Sequence, residues 1–265
     1  MAEVIVVTSG KGGVGKTTTT ANIGAALAAA GKSVVLIDAD IGLRNLDVVM
    51  GLENRIVYDL VQVVEGICRP KQALIRDKRY DNLNLLAAAQ TKDKNAVSPE
   101  QMVKLVGSLA DDYDYIIIDC PAGIEQGFQN AIAAAHRAIV VATPEVSSVR
   151  DADRIVGLLE AANIKDIRLV LNRIRPDLTR RGEMLTLEDV TDVLAISVLG
   201  VVPDDETIVM TTNRGEVAVA ESGSKAGAAF RNIAQRIVNE NVPMLQIDLE
   251  EGFFKRMKKK FSKKG

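Results

Sequence analysis

The sequence predicts a doubly wound α/β domain, in which helices cover both faces of a mostly parallel sheet. The first observation is that short apolar, β-branched runs alternate with longer helical stretches along most of the chain. The second is size and composition, because 265 residues, 47% of them apolar, suit one large domain better than two small ones. Aromatic residues make up only 3%, so valine, isoleucine, leucine and alanine must fill the core.

The predicted strands are short apolar runs, about seven in number. They cover residues 4–7, 33–38, 83–86, 115–119, 138–142, 168–171 and 198–202. Continuous apolar runs of this length are typical of parallel strands that are buried on both faces. In open α/β sheets, ligands bind beyond the carboxyl ends of the strands, so the polar residues that follow these runs are candidate site residues.

Helices are predicted between the strands. They cover residues 18–30, 58–65, 98–110, 146–161 and 225–239. Gly31 is a suitable stop for the first of them. At the start of the third, Ser98 is a good N-cap, Pro99 suits the first helical position and Glu100 suits the first turn. Residues 66–80 have mixed charge and no clear period, which favours a loop.

A glycine-rich segment lies between the first strand and the first helix and fits the pattern G-x-x-x-x-G-K-[ST] with Gly10, Gly15, Lys16 and Thr17. Strand, glycine loop and helix together direct backbone N–H groups and a helix N-terminus at phosphates. Lys16 can neutralise the β- and γ-phosphates, and the Thr17 hydroxyl can ligate Mg²⁺. The predicted phosphate-binding residues are Gly10, Lys11, Gly12, Gly13, Val14, Gly15, Lys16, Thr17 and Thr18.

Carboxylates follow two of the predicted strands. Asp119 ends an apolar strand in the manner of a Walker B carboxylate, which lies near Mg²⁺. Asp38 ends the second strand and Asp40 follows it, and the two serve either as strand-end caps or as groups for Mg²⁺ and the attacking water. Thr17, Asp38 and Asp119 are therefore the predicted metal residues. Asp40 is the candidate for orienting the attacking water, because residues 120–123, which follow Asp119, include neither Gln nor His.

The last residues of the chain differ from the rest. Although the formal net charge is −2, residues 253–265 hold seven Lys or Arg and no acid, which leaves −9 on the remaining 252 residues. At 100° per residue the large apolar side chains share one face opposite the lysines, as in a helix that lies in a membrane interface. The predicted membrane residues are Phe253, Phe254, Lys255, Arg256, Met257 and Phe261. A solvated charged tail or a DNA-contacting tail are the alternatives.

Several classes of site and segment are disfavoured. Cys68 and Cys120 are the only cysteines and lack C-x-x-C spacing, and His136 is the only histidine, so a cysteine or histidine metal cluster is not expected. The first strand begins almost at the N-terminus, so we expect no signal or transit peptide. No apolar run reaches 18 residues, so a membrane-spanning helix is not expected either.

The second lysine of the loop, Lys11, narrows the pattern to KGGxGK[ST]. This pattern resembles the deviant Walker A, or ParA/MinD, family of P-loop ATPases. The resemblance implies Mg²⁺-dependent hydrolysis of ATP to ADP and phosphate, with Lys11, Lys16 and Asp40 as catalytic residues. It also implies that Lys11 contacts the nucleotide of a second subunit, so that a homodimer completes the site. The family's adenine position implies base contacts from Asn172, Arg173, Pro203 and Asp204.

Within that family the tail and the absence of a DNA-binding extension resemble the MinD branch. This implies an ATPase domain over residues 1–242 and a linker and membrane-targeting segment over residues 243–265. The implied partners are a second copy, a MinC-like division inhibitor, a MinE-like stimulator and an anionic membrane, without sequence-specific nucleic acid. The implied location is the cytoplasmic face of a bacterial cell membrane, with a plastid stroma as the alternative. A ParA-type DNA-segregation ATPase, a flagellar-number regulator and a non-enzymatic nucleotide-binding scaffold remain alternative functions.

Overall fold

A computed structural model describes residues 1–93 and 95–247. Within them the strands are β1 (Glu3–Thr8), β2 (Val34–Asp38), β3 (Ile75–Arg76), β4 (Leu83–Leu86), β5 (Tyr115–Asp119), β6 (Arg137–Ala142), β7 (Asp166–Ile174) and β8 (Ser197–Pro203). The helices are α1 (Lys16–Ala29), α2 (Leu46–Met50), α3 (Leu60–Val64), α4 (Pro70–Ala73), α5 (Pro99–Leu109), α6 (Gln126–Ile132), α7 (Val146–Ala161), α8 (Pro176–Arg180), α9 (Leu187–Leu194), α10 (Thr207–Asn213) and α11 (Lys225–Val238).

The strands form one sheet in the order β3-β4-β2-β5-β1-β6-β7-β8. All neighbouring pairs are parallel except β3 with β4, which is antiparallel. The register pairs Asp38 at the end of β2 with Asp119 at the end of β5. Since β5 also pairs with β1, the loop after β1 and these two carboxylates lie at one edge of the sheet.

Both faces of the sheet are covered, and the alternation of side chains along β1 shows it. Val4 and Val6 belong to the core on one face. Ile5 and Val7 belong to the core on the other. Helix α1 is buried along almost its whole length, which explains why alanine, threonine and glycine replace an amphipathic pattern there. The predicted doubly wound architecture is confirmed, with eight strands among the described residues where the sequence indicated about seven.

Three predictions about elements need correction. Residues 66–80 were expected to be a loop, but they contain α4 and the two-residue strand β3. The strand predicted for residues 168–171 continues through Asn172 and Arg173, because Ile174 resumes pairing with Pro203 after an irregularity in the ladder. The short helices α2, α6, α8, α9 and α10 were not predicted.

The end of the described chain lies against the body. The Arg236 guanidinium donates to the Val242 carbonyl at 2.6 Å, and the Asn232 amide donates to the Pro243 carbonyl at 3.0 Å. The predicted boundary after residue 242 stays a prediction. The predicted membrane residues from Phe253 to Phe261 lie outside the described residues. Among the residues described, the helices are too short or too polar to cross a membrane.

Candidate functional site

Two glycines give the loop its shape. Gly15 sits in the left-handed region with φ of 98°, directly before α1 begins at Lys16. A Cβ at Gly15 would come within 2.4 Å of the Asn172 amide nitrogen. A Cβ at Gly10 would come within 2.3 Å of the Asp151 carbonyl oxygen on α7. The loop is therefore packed between α7 and β7 at a distance that only glycine permits, while its backbone continues into the helix N-terminus that favours anions.

A cluster of polar side chains lies beneath the loop. Lys16, which is 8% exposed, begins α1. Asp119 at the end of β5 is 2% exposed and accepts hydrogen bonds from the hydroxyls of Thr17 and Thr20. The Thr20 hydroxyl lies 3.1 Å from Asp119 Oδ1 and also 3.1 Å from the Lys16 carbonyl oxygen. A lysine, two hydroxyls and a carboxylate thus converge on one buried point, as a magnesium phosphate site requires.

Burial raises the pKa of both carboxylates, Asp38 and Asp119, in the absence of a cation. Burial raises the pKa of Asp38 to about 8, and the charge of Asp119 adds to that effect. Burial also raises the pKa of Asp119 to about 6, although Thr17 and Lys16 favour its charged form. Two like charges in a low-dielectric site oppose each other's ionisation. A divalent cation would reverse this balance.

Asp38 shapes the segment that carries Asp40. One of its carboxylate oxygens accepts the Asp40 backbone N–H at 2.9 Å, and the other accepts the Leu46 N–H at 3.2 Å. The Asp40 charge raises the pKa of both Asp38 and Asp119, which places its carboxylate beside the polar cluster. Asp40 also lines a small cavity of 20 Å³ together with Pro121. Asp38 therefore caps the strand end, whereas its predicted role toward Mg²⁺ stays a prediction.

Lys11 lies at the surface of this site. Its ammonium group donates to the Ser147 hydroxyl at 3.1 Å and lies 3.6 Å from a carboxylate oxygen of Glu145. Both partners belong to the start of α7, and the Lys11 side chain remains 43% exposed. Exposed ion pairs of this kind contribute between zero and about 1 kcal/mol. Lys11 is therefore easily released from α7 to another anion.

A second cavity, of 270 Å³, adjoins the loop at the ends of β7 and β8. It brings together the four residues predicted for the base, Asn172, Arg173, Pro203 and Asp204, with Gly15 and Thr18 of the predicted phosphate-binding segment. The Asn172 amide donates to the Val14 carbonyl at 2.8 Å, and its side-chain oxygen accepts the Arg173 backbone N–H at 3.0 Å. Asn172 therefore fastens the phosphate-binding loop to β7, a contact that the sequence did not indicate, while it also lines the cavity.

Asp205 holds the far wall of this cavity. Its carboxylate accepts the Ala226 backbone N–H at 2.9 Å, the Ser224 hydroxyl at 3.0 Å and the Thr207 backbone N–H at 3.0 Å. Partial burial opposes ionisation, but these hydrogen bonds outweigh it and lower the pKa of Asp205. The charged carboxylate thus ties the segment after β8 to the starts of α10 and α11.

Comparison with known proteins identifies the family. Residues 5–219 match the family model of the CobQ/CobB/MinD/ParA nucleotide binding domain. The septum site-determining protein MinD of Bacillus subtilis is 58% identical over 246 residues, which are 92% of each chain. The chain belongs to the MinD family. The predicted resemblance to the ParA/MinD family and its MinD branch is confirmed. The identity to septum site-determining proteins favours that branch over the DNA-segregation and flagellar alternatives.

Solved MinD structures share the fold. A chain of the MinC:MinD cell division protein complex of Aquifex aeolicus is 48% identical, with a TM-score of 0.86, and the match covers 92% of this chain and 99% of that one. MinD of Pyrococcus horikoshii, complexed with Mg-ADP, is 31% identical with a TM-score of 0.82, and the match covers 91% and 97%. The predicted P-loop fold is thereby confirmed, and membership in the MinD family supports ATPase activity.

The site of this MinD-family chain fits a magnesium nucleotide. Thr17 and Asp119 offer a hydroxyl and a buried carboxylate to a cation, and Lys16 offers a positive charge to phosphate. Among the described residues no three His, Cys, Asp or Glu side chains form a metal-ligand group. Mg²⁺ commonly binds through one or two carboxylates and completes its shell with phosphate oxygens and water, so this donor set suits it.

Sequence reasoning missed two residues of the MinD-family site. Thr20 lies one helical turn after Lys16, and that i, i+4 spacing was a signal that its hydroxyl would lie near the loop. Asp205 lies two residues beyond the end of β8 and was not predicted as a site residue. Its hydrogen-bond partners at α10 and α11 lie up to 21 residues further along the chain, so no local sequence pattern indicates these hydrogen bonds.

Proposed function

We propose that the chain is a Mg²⁺-dependent ATP hydrolase that becomes active as a homodimer on an anionic membrane and positions the division site by recruiting a division inhibitor. The observation that carries this proposal is the position of Lys11. It belongs to the phosphate-binding loop, yet its side chain is 43% exposed, and its ammonium group makes a hydrogen bond and an ion pair at the start of α7. A lysine in that position is available to a nucleotide bound by a second copy.

The roles of the buried residues follow from their contacts. Lys16 would neutralise the transferred phosphoryl group, and Thr17 with Asp119 would hold Mg²⁺, which would supply charge stabilisation. Asp38 uses both oxygens on backbone N–H groups, so its effect on the metal passes through ordered water and the position of Asp40. Asp40 orients the attacking water toward the γ-phosphate. ATP and water give ADP and phosphate, and only a dimer supplies the second lysine.

The base contacts are proposed for the cavity between the ends of β7 and β8. Asn172 keeps one amide hydrogen and one oxygen lone pair after its contacts with Val14 and Arg173. This remaining donor and acceptor of the Asn172 amide can hydrogen-bond to the edge of adenine, which also presents a donor beside an acceptor. Arg173, Pro203 and Asp204 complete the walls. ATP and ADP therefore share one base site.

The membrane and protein partners are inferred from the sequence of the tail and from the relatives. Phe253, Phe254, Met257 and Phe261 form the apolar face proposed to enter the interface, with Lys255 and Arg256 at its sides. The Aquifex aeolicus relative is named in a MinC:MinD complex, which supports a MinC-like inhibitor as partner here. A MinE-like stimulator is proposed from the same family membership. Two tails on one dimer would raise avidity by about 10²–10⁴ over one.

Vesicle co-sedimentation tests the membrane part. With ATP, the wild type is expected to pellet with anionic vesicles, and less so with ADP. Phe254→Glu removes an apolar contribution of about 1.5–3 kcal/mol and adds repulsion, whereas Lys259→Ala removes only about 1 kcal/mol. Phe254→Glu should therefore abolish binding to the vesicles, whereas Lys259→Ala should weaken that binding modestly. Equal pelleting of Phe254→Glu and wild type, or loss of all binding in modest salt, contradicts an apolar anchor.

Lys11→Ala tests the shared site. The variant should bind ADP and ATP with near-wild-type affinity, because Lys11 touches α7 and not the buried cluster. It should fail to form ATP-dependent dimers and lose hydrolysis. Lys104 is an exposed lysine on α5, and Lys104→Ala is the matched control. This control should dimerise with ATP and hydrolyse it as the wild type does. Sedimentation velocity with each nucleotide measures the dimer, and ATP-dependent dimers of Lys11→Ala would refute the shared site.

A further inference from the structure

The C-terminal ends of the short helices α2 and α10 meet on the face of the sheet that α1 covers. Met50 of α2 and Ile208 of α10 both pack in the core on that face. A Cβ at Gly51 would lie 2.6 Å from the Gly215 carbonyl oxygen, and a Cβ at Gly215 would lie 2.6 Å from Gly51 Cα. The two backbones are therefore in direct contact, at a separation that no larger residue permits.

One side chain, Arg79, binds both of these helix ends. Its Nη2 atom donates to the carbonyl of Met50, the last residue of α2, at 3.3 Å. Its Nη1 atom donates to the carbonyl of Gly215, two residues after α10, at 3.5 Å. Carbonyl groups at a helix C-terminus attract a cation. The planar guanidinium presents several N–H groups in a fixed fork, so it can serve two carbonyls at once, which the single ammonium group of a lysine does less well.

Asp77 holds Arg79 in this position. The Asp77 side chain is 1% exposed, and one of its oxygens lies 3.2 Å from Arg79 Nη2. The other oxygen accepts the backbone N–H groups of Arg79 at 2.8 Å and Tyr80 at 3.1 Å, in the turn between β3 and β4. The arginine is thus fixed at its backbone and at its guanidinium. A pair this far from water holds its geometry, because separating it would leave a buried carboxylate without a partner.

The opposite ends of the two helices lie at the nucleotide site. Helix α2 begins at Leu46, whose N–H is bound by Asp38, and the other oxygen of that carboxylate binds the Asp40 N–H. Helix α10 lines the base cavity with Val209. One helix therefore starts beside the carboxylates and the other beside the base, and Arg79 joins the ends that point away from the nucleotide site.

We propose that Arg79 is a positioning residue that transmits occupancy of the base cavity, through α10 and α2, to the segment that carries Asp40. Rigid elements in contact can carry such coupling between two sites. A base that fills the cavity fixes α10, Arg79 then fixes the end of α2, and the start of α2 fixes Asp38 and Asp40. Hydrolysis at saturating nucleotide therefore depends on the base. The inference rests on the proposed function, since it uses the base cavity and the role of Asp40.

Steady-state hydrolysis of ATP and CTP by Arg79→Lys tests the coupling, because lysine keeps the charge and loses the fork. Cytosine has a single ring and fills less of the 270 Å³ cavity, so the wild-type kcat should be higher with ATP than with CTP. Arg79→Lys should lower kcat for ATP by about two- to thirtyfold, the range that coupling residues span. The ATP/CTP ratio of kcat should fall toward 1, whereas the ratio of KM values should stay, because the base contacts remain.

Arg76→Lys is the matched control. Arg76 lies on β3 in the same hairpin, and its side chain is 65% exposed, with only a surface ion pair to Asp81 at 3.7 Å. This control should keep the wild-type kcat ratio. A merely structural role for Arg79 would lower kcat for both nucleotides by the same factor, and an unchanged ATP/CTP ratio in Arg79→Lys therefore overturns the proposal. Equal wild-type kcat values for ATP and CTP overturn it as well.

Hydrogen exchange of the wild type gives a second measurement that needs no variant. Pyrophosphate can occupy the phosphate-binding loop alone, whereas ADP also brings a base. ADP should slow amide exchange beyond the effect of pyrophosphate in residues 207–215 and also in residues 46–51. Slower exchange in residues 207–215 alone overturns the coupling. Failure of the proposed function looks different, because ADP would then slow exchange in neither segment, or the wild type would hydrolyse neither nucleotide and the exchange comparison would decide the coupling by itself.

Discussion

Replacing Thr20 by valine tests the buried cluster beneath the phosphate-binding loop. Valine has nearly the shape of threonine but lacks the hydroxyl that lies 3.1 Å from Asp119 Oδ1. A hydrogen bond to a charged group contributes about 1.5–3 kcal/mol, and one to a neutral group about 0.5–1.5 kcal/mol. The cost of Thr20→Val therefore depends on whether Asp119 is ionised.

The sign of the pH dependence follows from the pKa of Asp119. Its folded pKa of about 6 lies above the ordinary value of 3.8, so the ionisation of Asp119 lowers the stability of the folded state as the pH rises from about 4 to about 6. The Thr20 hydrogen bond favours the charged form, and its removal raises the folded pKa further. The extra destabilisation of Thr20→Val is thus largest above pH 6 and smaller near pH 5.

Thermal unfolding of the nucleotide-free protein at pH 5 and pH 8 measures this effect. At pH 8 we expect Tm to fall by about 3–12 °C, since 1 kcal/mol corresponds to about 2–4 °C in a chain of this size. Thr20→Ser keeps the hydroxyl and loses one methyl group, so it should cost about 1 kcal/mol at both pH values. An equal fall of Tm for Thr20→Val at pH 5 and pH 8 would refute the coupling to Asp119.

Three further predictions concern the same edge of the sheet. Without Mg²⁺, wild-type stability should fall as pH rises from about 4 to about 8, because the folded pKa of Asp38 is raised to about 8, and Asp38→Asn should flatten that slope in a thermal-unfolding series. Gly15→Ala should lose ADP binding in calorimetry, because a Cβ there meets the Asn172 amide at 2.4 Å. Asp205→Asn should weaken ADP binding about tenfold, equivalent to 1.4 kcal/mol, through loss of the wall that Asp205 holds, while Lys16 and Thr17 keep their contacts.

The sequence predicted the sheet well because parallel strands are buried on both faces. Strands such as β2 and β5 are five-residue runs in which every residue is buried, so no polar position interrupts the signal. The helices that were missed, such as α2, α6 and α8, have five to seven residues. That length is under two turns, so an apolar period cannot be recognised in it.

The site divides in the same way. Lys16, Thr17 and Asp119 were predicted because a loop motif and a strand end are local patterns. The contact of Asn172 with Val14, 158 residues away in sequence, was not predicted, since only the fold brings the two together. The roles of the predicted catalytic, base-binding and metal residues stay predictions until the variants are measured.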